Sequence, residues 1–219
     1  MRVAFVTIGQ SPRNDVVPDI LAETRVKFEV TERGALDGLD DAAIADLAPR
    51  RGEERLVSRL RDGREVLLGK PAIDGRLHTI LGELDAAGFD LLVLLCTGQF
   101  TRFKLHTPFL EPQHTVDHFV QGLAYGADRI GILLPNAGQI DEFHGIPGIE
   151  TKLAAASPYL AGHEAALRTA GSELADTEMV VMHCIGYSEA MRQVVKQAAG
   201  RPVLVSRQLV AHAIDLLLS

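Results

Sequence analysis

The chain has 219 residues, 47% hydrophobic and 5% aromatic, with no Trp and a formal net charge of −7. That length suits one large α/β domain or two small lobes with a real core, and the acidic balance excludes the basic face of a nucleic-acid binder. No apolar run approaches the roughly 20 residues of a membrane span, and Met1-Arg2 leads straight into a strand with no secretory leader, so a cytoplasmic protein that keeps off membranes is expected.

Val3 to Ile8 reads as a buried first strand, ended by Gly9-Gln10. Ser11-Pro12 has the form of an N-cap followed by Pro at the first helical position, so a helix is expected through about Thr24. Phe28 to Val30 reads as a short second strand, and Asp40 to Leu47 as a short helix stopped before Pro49. Leu56-Val57 and Val66 to Leu68 flank Asp62-Gly63, a dipeptide suited to a type I′ hairpin turn. Pro71 to Ala87 predicts a long helix with Ile73, Leu77, Ile80, Leu81 and Leu84 on one face and Gly88 as its stop.

The segment Asp90 to Gly98 then reads acid, five mostly apolar residues, Cys96, one spacer and Gly, and Glu178 to Gly186 repeats that register around Cys184. Between them a second cycle opens at Arg129 with the strand Ile130 to Pro135, and a Gly-Gln follows at 138–139 as it does at 9–10. Residues 148–160 fit no single pattern. Helices are expected over His163 to Ala175, Ser188 to Ala199 and Gln208 to Leu218, with a last strand at Pro202 to Val205. The alternation predicts an α/β fold of two pseudo-symmetric lobes, each with a mainly parallel sheet flanked by helices. The first lobe takes residues 1–115 and 207–219, with the hairpin inserted near 56–68, and the second takes 116–206.

Ligands of parallel α/β sheets bind outside the carboxyl ends of the strands, so two thiols at equivalent strand ends can face one cleft. A Cys in an apolar strand also serves as a small core residue, and both readings stand at this point. Gly98 and Gly186 let the backbone turn its N–H groups toward a thiolate or a ligand carboxylate. Thr97, Gln99, Ile185 and Tyr187 belong to the same two turns. Thr7, Gly9, Gln10 and Ser11 end the first strand, where a ligand's polar groups are received in this architecture. Arg13, in the first turn of the expected helix, opposes the helix dipole and is open to a role as a carboxylate clamp. Ser11 reads equally as a helix cap. His183 is next to Cys184, but neighbours on a strand face opposite ways.

His114 and His118 are four apart near Glu111 and Asp117, without the H-E-x-x-H pattern of a zinc site, so no metal is expected. No Gly-x-Gly-x-x-Gly or Walker-type loop follows a strand, so no nucleotide cofactor is expected either.

Residues 6–15 (Val-Thr-Ile-Gly-Gln-Ser-Pro-Arg-Asn-Asp), Leu-Cys-Thr-Gly at 95–98, His-Cys-Ile-Gly-Tyr at 183–187 and the closing Val205 to Ala211 together resemble the AroM family over essentially the whole chain. That family is similar to the aspartate/glutamate/hydantoin racemase superfamily. The resemblance implies two pseudo-symmetric α/β halves with the active site between them and no cofactor. It implies one acid/base cysteine from each half, falling on Cys96 and Cys184, and a substrate-binding turn falling on Thr7 to Ser11. The racemases follow their cysteines with Asn-Thr and Thr-His, whereas this chain has Thr97-Gly98 and Ile185-Gly186, so glutamate and aspartate are not implied as substrates. The expected activity is an isomerase or racemase acting on a small carboxylate by two-thiol proton transfer. A one-thiol lyase such as a malonate-type decarboxylase, and a small-acid binding protein without turnover, are the alternatives. A homo-oligomer is left open.

Overall fold

A computed structural model describes residues 1–219. The first sheet contains β1 (Arg2–Thr7), β2 (Glu29–Gly34), β5 (Leu91–Leu94) and β6 (Phe109–Leu110), in the order β2-β1-β5-β6, with every pair parallel. The second contains β7 (Arg129–Leu134), β8 (Glu150–Ala155), β9 (Val180–Met182) and β10 (Val203–Val205), in the order β8-β7-β9-β10, again all parallel. The two sheets have the same topology, so β1 and β7 are equivalent strands, as are β5 and β9, the strands that lead into the two cysteines.

Strand alternation splits each sheet's apolar residues between two faces. Val3, Phe5, Leu91 and Val93 pack under α1 (Val17–Glu23) and α7 (Ser206–Leu218). Ala4, Val6, Leu92 and Leu94 pack under α3 (Lys70–Asp85), whose buried residues are the five that its periodicity marks. In the second sheet, Ile130, Ile132 and Val181 face Val116 and Val120 of α4 (Pro112–Leu123). Leu133, Val180 and Met182 face α5 (His163–Glu173) and α6 (Glu189–Ala199). Thus α4 leaves the first sheet to cover the second, and α7 leaves the second to cover the first, where Val210, Ala211 and Ile214 join the β1 core.

Several elements depart from their sequence patterns. The first helix starts at Val17 rather than Pro12, and Ser11 does not cap it. The Ser11 N–H and Oγ both donate to Asp37, and the Arg13 N–H donates to Glu32. Those distant carboxylates take the donors that a helix would have oriented along its own axis. The hairpin of β3 (Arg55–Arg59) and β4 (Glu65–Gly69) is present, but its turn is not type I′. Only Gly63 has positive φ, at +96°, and Leu60 N–H bonds Arg64 O at 2.8 Å, which makes a three-residue loop with the glycine in the left-handed position. Residues 148–160 hold β8 and the loop after it.

The short α2 (Asp41–Ala45) is capped by Asp40, whose carboxylate accepts from Ala43 N–H. Ser188 caps α6 by accepting from Met191 N–H at 3.3 Å. Ser188→Ala is expected to cost about 1 kcal/mol, the usual value of such a cap, read as a lower urea midpoint with unchanged slope. No helix is long and apolar enough to cross a membrane.

Candidate functional site

The carboxyl ends of β5 and β9 open into one cleft of about 840 Å³, counting the open space at its mouth. Cys96 and Cys184 stand two residues beyond those strands, both buried, both free thiols, and both on the cleft wall. Their turns have the same internal bond. Gly98 N–H donates to Cys96 Sγ at 3.3 Å, and Gly186 N–H donates to Cys184 Sγ at 3.4 Å. The intervening amides, of Thr97 and Ile185, donate to nothing within the chain. Thr97 Oγ1 ties the two turns together by donating to the His183 carbonyl at 3.2 Å.

Burial pushes the Cys96 thiol up to about 12, against the pull of the Gly98 N–H and the Arg13 guanidinium. Burial raises Cys184 as well, opposed by the Gly186 N–H, by Arg13 and by the Tyr159 hydroxyl. Both are therefore thiols rather than thiolates near neutral pH.

Arg13 lines the same cleft but is not a free clamp. Its guanidinium makes a two-bond pair with Asp15, at 2.8 and 2.9 Å, and donates to Thr7 Oγ1 at 2.9 Å and to Tyr159 Oη at 3.0 Å. It is shared ground for both thiols, since its charge lowers each of them. Tyr159 as a whole is half-buried, but its hydroxyl end is desolvated, which raises it and keeps it neutral. It fills the space that Gly186 leaves, and a Cβ on Gly186 would overlap the Tyr159 hydroxyl and ring. Gly186→Ala is accordingly expected to destabilise the chain by about 1–3 kcal/mol. A Cβ on Gly98 meets mainly the mobile end of Leu56, at 2.8 Å, so Gly98→Ala costs less. Paired denaturation curves of the two variants check that order.

The remaining residues marked from the sequence divide. Thr97, Gly98, Gln99 and Ile185 line the cleft with the two cysteines and Arg13. Thr7, Gly9, Gln10, Ser11, Gly186 and Tyr187 do not. Thr7 Oγ1 is occupied by Arg13 and by Gly9 N–H, and Tyr187 is fully buried, with its hydroxyl donating to Ala156 O at 2.7 Å.

The hairpin covers Gly9 to Ser11. Gln10 Oε1 accepts from Arg61 N–H at 2.8 Å, and the Arg61 guanidinium donates to Ser11 O at 2.6 Å. In place of those residues the hairpin presents Leu56, Val57 and Ser58 to the cleft. It also reaches the second lobe, where Arg55 pairs with Glu142 at 2.7 Å and its carbonyl accepts from Gln139 Nε2 at 2.9 Å, while Glu65 accepts from Ser157.

His183 shares the cleft wall with Cys184 because the strand has ended at Met182 and strict alternation no longer holds. Its Nε2 lies 2.9 Å from Asp117, and Phe143 meets its ring edge-on. The other Asp117 oxygen accepts from Gln113. His114 and His118 are exposed on α4, and no group of three or more His, Cys, Asp or Glu side chains is gathered as metal ligands would be.

Sequence reasoning missed Tyr159, Ser58, Gln139 and Asp15. One signal for Tyr159 existed. The first lobe's β1–β2 pair demanded a counterpart beside β7, and placing it at 150–155 puts Tyr159 just past a strand end.

The pattern of the family described as AroM protein matches residues 3–218. No curated protein matches the chain. Among solved structures, the maleate isomerase Iso from Pseudomonas putida S16 is similar over 100% of this chain and 92% of its own, with TM-score 0.64 and 15% identity. Arylmalonate decarboxylase gives 0.60 and 13% over 100% and 93%. The allantoin racemase from Pseudomonas fluorescens gives 0.59 and 14% over 100% and 91%. At those identities the likeness establishes a common two-lobed, racemase-like fold.

Proposed function

The chain belongs to the AroM family, and from that premise and the geometry of the cleft we propose that it is a cofactor-independent enzyme that moves a proton at the α-carbon of a small carboxylate. The observation that carries this reading is the pair of equivalent turns. They bring two thiols to one cleft, each with a glycine N–H on its sulfur and an uncommitted N–H between. The Thr97 and Ile185 amides suit a carboxylate, and they strengthen as it becomes an enediolate. With the α-carbon between the sulfurs, one thiolate takes the proton and becomes a thiol. The opposite thiol then gives its proton to the other face and becomes the thiolate. The fold shared with an isomerase, a racemase and a decarboxylase supports this class of chemistry without selecting a member.

One observation favours a second reading. Both thiols are raised by burial, and a buried protonated thiol is the acid needed to quench an enediolate left by loss of carbon dioxide. That lyase needs one thiol, whereas proton transfer across the α-carbon needs two and requires one to ionise.

The test is deuterium incorporation from D₂O at the α-carbon of small carboxylates that raise the melting temperature, before and after alkylation of both thiols. Exchange that disappears on alkylation is the expected result. Exchange that survives removes the cysteines from the reaction. Acids that bind without exchange, alongside malonates that lose carbon dioxide, select the lyase, and acids and malonates that bind with neither outcome make the chain a binding protein.

A further inference from the structure

Two buried oxygen atoms on residues of the cleft wall have no partner in the chain, Ser58 Oγ of the hairpin and Gln139 Oε1 of the second lobe. Such atoms are rare, because each has given up water without gaining a hydrogen bond. Ser58 is 1% exposed, and its hydroxyl rests against Gly9, where a Cβ would collide with it. The Gln139 amide is held the other way round, with Nε2 donating to Arg55 O at 2.9 Å, so Oε1 offers an acceptor only.

The charges of the cleft point the same way. Its two arginines both have their charge paired, Arg13 with Asp15 through two hydrogen bonds and Arg55 with Glu142 at 2.7 Å, although Arg55 Nε makes no hydrogen bond of its own. A second carboxylate on the ligand would meet neutralised cations and an acceptor that it cannot use. A hydrocarbon tail would leave both oxygens unpaired. An amide, ureido or hydroxyl group supplies the donor that Gln139 Oε1 lacks, and Ser58 Oγ accepts or donates as required.

We propose that the cleft selects a small monocarboxylate whose remaining polarity is an uncharged N–H or O–H donor, received by Gln139 Oε1 and Ser58 Oγ. The proposal rests on the reading of the thiol cleft as a carboxylate site. It makes the hairpin the element that sets specificity, because the hairpin carries Ser58 and fixes Gln139 through the Arg55 carbonyl.

Calorimetric titration of the full chain with matched acids tests it. Succinamate and glutaramate carry the amide, succinate and glutarate replace it with a carboxylate, and 4-methylpentanoate and 5-methylhexanoate replace it with an isopropyl group of similar shape. The amides are expected to bind at least about tenfold more tightly than either matched acid, since a site built for a donor rejects an analogue that lacks one. Ser58→Ala and Gln139→Met are each expected to shrink that margin severalfold. Equal affinities across a matched set, tightest binding by the diacid, or a margin that both variants leave intact overturns the proposal. Alkylation of Cys96 and Cys184 separates this failure from that of the carboxylate site. Acids without the donor preference whose binding is lost on alkylation still occupy the thiol cleft. If no acid binds, or none is affected by alkylation, both readings fall.

Discussion

Cys96→Ser and Cys184→Ser are each expected to lower α-proton exchange by about 10²–10⁴-fold, the range that a positioned acid/base contributes. The thiols enter the cleft from equivalent turns of two lobes with the same strand order, so each serves one face of the α-carbon. Each variant therefore keeps slow exchange in one enantiomer only, from the face whose thiol remains. Chiral separation of the deuterated acid reads this directly. If one variant is inert and the other fully active, the one-thiol lyase replaces two-base transfer. If both stay fully active, the repeated Cys-x-Gly is a packing feature of a duplicated fold. Burial predicts a companion result: with the Cys96 thiol pushed up to about 12, iodoacetamide at pH 8 labels the native chain far more slowly than the unfolded one.

The duplicated frame was legible because local pattern and tertiary role agree in it. The runs before Cys96 and Cys184 are apolar because their strands are covered on both faces, and the α3 periodicity matches its buried side because one sheet face receives it. Ser11-Pro12 misleads for the opposite reason. A cap pattern is a local preference, and here Asp37 and Glu32 outcompete it. The hairpin was visible in the sequence but its work was not, because its partners Gln139, Glu142 and Ser157 are more than 80 residues away. The same holds for the Arg13 hydroxyl partner Tyr159, at a separation of 146. Cys96 and Cys184 were found by repetition, and no repetition marks Ser58.

Asp15→Ala is expected to cost about 3 kcal/mol at neutral pH, because it strips the two-bond partner from an arginine that is 2% exposed. Removing both members, as Arg13→Met with Asp15→Ala, should cost less than the single variants summed, which a double-mutant cycle in urea measures. The acid dependence has a definite sign. Burial works to raise the Asp15 carboxyl, but the hydrogen bonds and charge of Arg13 outweigh it and hold the group below the ordinary carboxylate range. A depressed folded-state value gives a contribution that is complete above the unfolded value, near 4, and is lost as the pH falls through the folded one. Wild type and Asp15→Ala should therefore converge in stability below pH 4 and stay apart above it; a gap that persists undiminished in acid removes the ion pair as its source. The same variant reaches the chemistry. Arg13 lowers both thiols, and freeing its charge from Asp15 should lower them further. Folded Asp15→Ala is thus expected to be alkylated faster than wild type at pH 8, a readout that lost stability alone leaves unmoved once global unfolding is shown to be slower than labelling. Asp15 then acts as the setting for two thiols it does not touch, by deciding how much of one buried positive charge they feel.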